Sequence, residues 1–202
     1  MPDWFDLRYL LAGTARQQQA HATLHSLNLP GALLDFDPVL AGTIPLNIDV
    51  PGSDLDLICE VPAGAAPQFR QRLRDHYGTL PGFTLTEGIV NGIASTACNF
   101  RRPDFELEIF GQPRPVRQQH AYRHMVVEAR VLALGGVLWQ QAVRRLKAQG
   151  MKTEPAFAQL LGLTGDPYAA LLTLEEWSDA ALQALLERSG STNSPQGFVL
   201  PL

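Results

Sequence analysis

Lysine is nearly missing from this chain. Of 16 basic residues only Lys147 and Lys152 are lysines, and the acidic residues outnumber the basic ones to a net charge of −4. Such a protein has no general attraction for polyanions, and a nucleic-acid partner would need a local basic patch. Nucleic acid is therefore possible as a partner but not favoured, and the arginine bias reads as genome composition rather than mechanism. Cysteine is equally scarce. Cys59 and Cys98 sit in strand-like apolar runs and read as buried thiols of a reducing compartment, with a disulfide as the lesser alternative. No apolar run reaches the ~18 residues of a membrane-spanning helix. There is no internal repeat, and acidic and aromatic residues occupy the first positions where a secretory leader would be basic and then apolar. The expectation is a cytoplasmic protein without membrane association. Its 202 residues are enough for one domain or two small ones with a real core.

What is present falls into two halves. Residues 5–27 read as helix with a break at Gly13-Thr14, where Thr14 can cap the second part, and Asn28–Gly31 ends it. A strand runs from Asp37-Pro38 to Gly42. Residues 43–50, bracketed by Pro45 and Pro51, read as a turn or short irregular helix. A second strand runs from Asp54 to Val61, and Gln68–Tyr77 is a charged helix. Phe83–Val90, Ile93–Phe100 and Phe105–Phe110 read as strands joined at Asn91-Gly92 and Arg101–Asp104, which predicts a meander. From Gln118 the pattern is helical, over 118–134, 137–149, 154–163 and 174–189, with Trp139 and Trp177 on apolar faces as core candidates. The predicted division is an α/β domain over 1–115, a helical domain over 116–190 and a flexible tail over 191–202.

Chemistry concentrates in Gly42-Thr43-Ile44-Pro45-Leu46-Asn47-Ile48-Asp49-Val50-Pro51-Gly52-Ser53-Asp54-Leu55-Asp56-Leu57. In a strand Asp54 and Asp56 point to one side, with Cβ atoms roughly 6–7 Å apart. Two carboxylates that close repel each other unless a cation sits between them. Magnesium, a hard ion that takes carboxylate oxygens and also binds phosphate, suits the pair; Mn2+ would serve as well. The strand Phe105–Phe110 offers Glu106 and Glu108 on one face. Glu108 lies deeper and is the candidate third carboxylate, because two-metal phosphoryl chemistry needs one near the attacking hydroxyl.

A Gly-Thr turn, a spacer of about ten residues and Asp-Leu-Asp resemble the signature of the nucleotidyltransferase superfamily related to DNA polymerase beta. The spacer departs from that pattern, having Ile44-Pro45-Leu46-Asn47 where many relatives carry Arg-Gly. Further runs are Pro38–Leu46, Glu108-Ile109-Phe110-Gly111-Gln112, Gln118–Met125 and Gly150–Ala158. Together they resemble an uncharacterised bacterial family, a domain of unknown function placed as a distant nucleotidyltransferase-like branch, over roughly residues 8–175. The resemblance implies an α/β (α+β) fold, a nucleotidyltransferase-like mixed sheet with flanking helices followed by a C-terminal helical bundle. It brings no known substrate.

The remaining polar residues divide between site and scaffold. Gly42 permits close backbone approach, and Thr43 can offer hydroxyl and amide to a phosphate. Ser53 is a nucleotide-site candidate whose plainer role is to cap the turn before Asp54. Arg123 and Lys152 are candidate phosphate clamps, Lys152 because Thr153 can cap a helix starting at Pro155. His120 and His124, four apart on a helix, lack the further partners of a zinc site. Arg16 and Gln17–Gln19 on the first helix could reach the cleft, with polar surface as their plainer reading. The expected function is Mg2+-dependent transfer of an NMP from an NTP to an unknown hydroxyl or amine acceptor, with Asp54, Asp56 and Glu108 as metal ligands. The alternative is a degenerate member that binds a nucleotide or partner without turnover.

Overall fold

Thr14 sets the first boundary. In the computed structural model, which describes residues 1–192, its hydroxyl accepts the Gln17 amide hydrogen, and Gln17 Oε1 accepts the Thr14 N–H at 3.0 Å. This capping box starts α1 (Ala15–Ser26). The stretch before it, Leu7–Ala12, is a 3-10 helix capped by Asp6 rather than the α-helix expected there. Pro30 and Gly31 do not simply end α1. They lie in a short α2 (Leu29–Ala32), followed by a 3-10 turn over Leu34–Phe36.

The strands are β1 (Val39–Ala41), β2 (Leu55–Glu60), β3 (Thr84–Val90), β4 (Ile93–Arg101) and β5 (Glu106–Gln112), and α3 (Ala66–Tyr77) lies between β2 and β3. They form one mixed sheet in the order β1-β2-β5-β4-β3. β3, β4 and β5 make the expected antiparallel meander, whereas β2 and β5 run parallel. A parallel pair needs a crossover, and α3 with the β3–β4 hairpin supplies the intervening chain. One face of the sheet is apolar: Leu55, Leu57, Cys59, Cys98, Phe100, Leu107 and Ile109 pack with Ala20 and Leu24 of α1 and with Phe69, Leu73 and Tyr77 of α3. Phe69 meets Phe36 edge-on, and Tyr77 stacks on Phe100 at 5.0 Å between ring centres. Both cysteines are buried free thiols, and burial pushes Cys98 up to about 12.

Met1–Tyr122 is one compact unit, and a second begins at Arg123. The helices that follow the sheet are α4 (His120–Ala148), α5 (Thr153–Leu161), α6 (Pro167–Leu172) and α7 (Asp179–Thr192). α4 takes the place of two expected helices, and Gly136, at φ 63° and ψ −158°, interrupts it near the expected junction. The sequence pattern gave no sign of α6, whose start combines an Asp166 cap with Pro167 at its first position. The expected helix over 174–189 breaks at Trp177, where the backbone is extended. Trp177 is exposed and Trp139 only half-buried, so neither forms core. The core of this unit is instead Val127, Val131, Val143, Phe157, Leu161, Leu171, Leu174 and Leu182. The expected tail beyond Thr192 lies outside the described residues. The whole is the expected α/β (α+β) arrangement, a mixed sheet with flanking helices followed by a helical run.

Candidate active site

Apolar residues on alternate positions of β2 and β5 drive one face of each strand into the core and turn the carboxylates to the other. Asp56 on β2 stands in register with Glu108 on β5, and on its other side with Ala41 of β1. Asp54 precedes β2 by one residue and is exposed, whereas Asp56 and Glu108 are half-buried. Burial and then the charge of Asp54 raise the Glu108 carboxyl above its ordinary value, so the two groups share one electrostatic field. Glu106 is different: it is exposed and pairs with Arg101 at 3.0 Å, its register partner on β4.

Gly42 closes the site from the β1 side. Its φ is +77°, and a Cβ there would stand 2.5 Å from Asp56 Oδ2. The position thus demands glycine both for its backbone and for the carboxylate lying against it. Thr43 is half-buried, and its carbonyl accepts the Ile48 N–H at 3.2 Å, folding the spacer back on itself. The spacer's apolar content has a packing reason, since Ile44, Leu46 and Ile48 are buried. Ser53 Oγ accepts the Val50 N–H at 3.0 Å, fixing the turn that delivers Asp54.

Gln17 does not lie on the polar surface that is its plainer reading from sequence. It is buried, and its Nε2 donates to the carbonyls of Ile44 at 2.9 Å and Pro45 at 3.2 Å. Helix α1 therefore holds the backbone immediately after Gly42-Thr43. The capping-box pattern Thr14-x-x-Gln17 was the available signal; the clamp on a segment 27 residues away was not.

The other candidates belong to the second unit. Arg123 makes a two-pronged pair with Glu175, its Nε at 2.9 Å from Oε2. Lys152 is exposed at the N-cap of α5, and among the described residues it forms no ion pair. Thr153 does not cap that helix; it is the first helical residue, and its hydroxyl accepts Lys147 Nζ at 2.9 Å. His124 is buried with Nε2 at 3.0 Å from the Tyr168 carbonyl oxygen. Among the described residues no three His, Cys, Asp or Glu side chains stand close enough together to hold a metal ion as they are. No helix of the described residues is long and apolar enough to cross a membrane.

The fold is that of nucleotidyltransferases. The chain is similar to the Cid1 poly(U) polymerase, at 15% identity and a TM-score of 0.50 over 83% of this chain and 53% of that one. It is similarly related to a cytoplasmic RNA terminal U-transferase, at 16% identity and a TM-score of 0.50 over 80% and 48%. The chain thus spans about half the length of these structures. Residues 22–174 match the model of the family described as Domain of unknown function (DUF4269), and the chain belongs to that family. No curated protein matches it.

Proposed function

We propose that the protein is a nucleotidyltransferase of the DNA polymerase beta type, moving an NMP from an NTP to a hydroxyl or amine acceptor. The observation that carries this reading is the register of Asp56 with Glu108, with Gly42 held against Asp56. The donor set of Asp54, Asp56 and Glu108 is all carboxylate, with Glu108 raised by burial and then by the charge of Asp54, and suits Mg2+ or Mn2+ in type and number. When bound, such an ion would neutralise the carboxylates and the charge developing on the phosphates.

The protein's own groups account for the rest. Asp54 and Asp56 supply the fixed negative charge that selects a metal-bound triphosphate over a free one. The Gly42-Thr43 turn, braced by Gln17, offers backbone and hydroxyl to the outer phosphates. Glu108, in register beside Asp56, is the carboxylate placed to accept the acceptor's proton as that oxygen or nitrogen attacks the α-phosphorus.

Calorimetry of NTP binding with and without Mg2+ tests the reading. Wild-type protein is expected to bind in a Mg2+-dependent way, and Asp54→Ala with Asp56→Ala to lose that dependence. Binding that is absent, or the same in wild type and double variant, contradicts it. Nucleotide binding with no pyrophosphate release across a broad acceptor panel would favour the degenerate alternative.

A further inference from the structure

Two imidazoles on α1 have no hydrogen-bond or ion-pair partner among the described residues. They are His21 and His25, one helical turn apart, whose rings lie nearly parallel at 19° with 6.2 Å between centres. Residues four apart on a helix share a face, and here that face is open: His21 is half-buried and His25 exposed. The other histidine pair with this spacing, His120 and His124, is not equivalent, because His124 Nε2 already engages the Tyr168 carbonyl oxygen at 3.0 Å.

Both histidines line a cavity of about 350 Å³ whose walls include Phe5, Leu7 and Pro30. Asp6 and Arg8 line it too, but they pair with each other, Arg8 Nε lying 2.7 Å from Asp6 Oδ2. That carboxylate is engaged, so the imidazole nitrogens are the strongest ligands the cavity offers a metal. A neutral imidazole presents a nitrogen lone pair. Two of them on one face suit a borderline divalent ion such as Zn2+ or Cu2+, and suit the oxygen-seeking Mg2+ poorly. Zinc–nitrogen bonds of ~2.0–2.1 Å put the centres of two rings sharing one ion roughly 5–6 Å apart. A small rotation of either side chain reaches that separation. His25 also stands in the last turn of α1, where the carbonyl end of the helix favours a cation.

We propose that His21 and His25 chelate one borderline divalent ion in this cavity, with water in the remaining coordination positions, and that the ion fastens the C-terminal half of α1. With two protein ligands the site is open and exchangeable, unlike the closed four-ligand sites of structural zinc. Its position on the helix gives it a consequence. Thr14 closes the start of α1, and Gln17, one turn before His21, holds the carbonyls of Ile44 and Pro45. An ion across His21 and His25 secures the other end of the same helix. Its ligands are nitrogens rather than carboxylate oxygens, so the site is independent of the transferase reading.

Calorimetry of Zn2+ binding to the untagged full chain, with excess Mg2+ present to occupy the carboxylates, is the test. One Zn2+ per chain is expected. His21→Ala and His25→Ala should each weaken binding about tenfold or more, since even the outer-shell partners of a ligating histidine are worth 10–100-fold. Alanine is the best helix former, so both variants should keep α1, and His25→Gln at the exposed position serves if His25→Ala disturbs it. His76→Ala should leave Zn2+ affinity unchanged. Electron paramagnetic resonance of bound Cu2+ should show two imidazole nitrogens in wild type and one in either single variant. Amide hydrogen exchange in the last turns of α1 should slow when Zn2+ is added. No Zn2+ binding, equal affinity in wild type and both histidine variants, a Cu2+ spectrum unchanged by the substitutions, or unaltered exchange in α1 each overturns the proposal.

Discussion

Gly42 is constrained twice, by a left-handed backbone and by the Asp56 carboxylate that a side chain would strike. Gly42→Ala should therefore cost about 1–3 kcal/mol of stability from the backbone alone and displace Asp56 as well. Chemical denaturation reads the first effect, and a loss of Mg2+-dependent NTP affinity beyond it reads the second. Gln17 should show the complementary behaviour. Gln17→Met leaves the carbonyls of Ile44 and Pro45 without their donor, a loss of about 1–3 kcal/mol. Gln17→Glu, equal in size but unable to donate while ionised, should be no better. A Gln17→Met protein as stable as wild type would show that the clamp carries no load. At this scale the sequence displayed Gly42, the aspartates and Glu108, because strand alternation puts side chains on predictable faces. Gln17 was hidden because its partners are backbone atoms of a distant segment, which leave no mark in residue identity.

Among the elements, strands bounded by Asn-Gly and by Pro were legible, and so were the Gly13-Thr14 and Gly135-Gly136 breaks. What could not be read was how short segments end. Thr153 looked like a cap, yet Lys152 holds that position and the Thr153 hydroxyl is taken by Lys147. Periodicity gave no hint of α6, which is only Pro167–Leu172 and too short for an apolar stripe. The parallel pairing of β2 with β5 also lay beyond a local pattern, although it brings Asp56 beside Glu108. In α4, Gly136 adopts a conformation open essentially to glycine alone. Gly136→Ala should thus lower stability by about 1–3 kcal/mol, seen as a reduced Tm. An unchanged Tm would mean that α4 straightens without cost.

For the whole molecule, Glu128 makes stability depend on pH. The carboxyl is buried in the second unit, its Oε1 has no hydrogen-bond partner among the described residues, and desolvation first, then the charge of Glu154, push it up to about 8 against the opposing pull of Lys147. In the unfolded chain it ionises near its ordinary value of 4.5. Between those two values the folded state holds a proton that the unfolded state has released, so this group lowers stability as pH rises through the window. Glu128→Gln should remove that slope, raising Tm at pH 8 while leaving it little changed near pH 4. A parallel pH dependence in wild type and variant would show that Glu128 is not the source. The likeness to the two transferases covers the fold alone, and the chain spans about half their length; the account of the reaction rests on the carboxylates. Its most direct test is electron paramagnetic resonance of Mn2+ titrated into the protein with and without NTP. The account predicts NTP-dependent Mn2+ binding in wild type that is lost in Asp56→Asn and weakened in Glu108→Gln. Equal binding in all three proteins would contradict it.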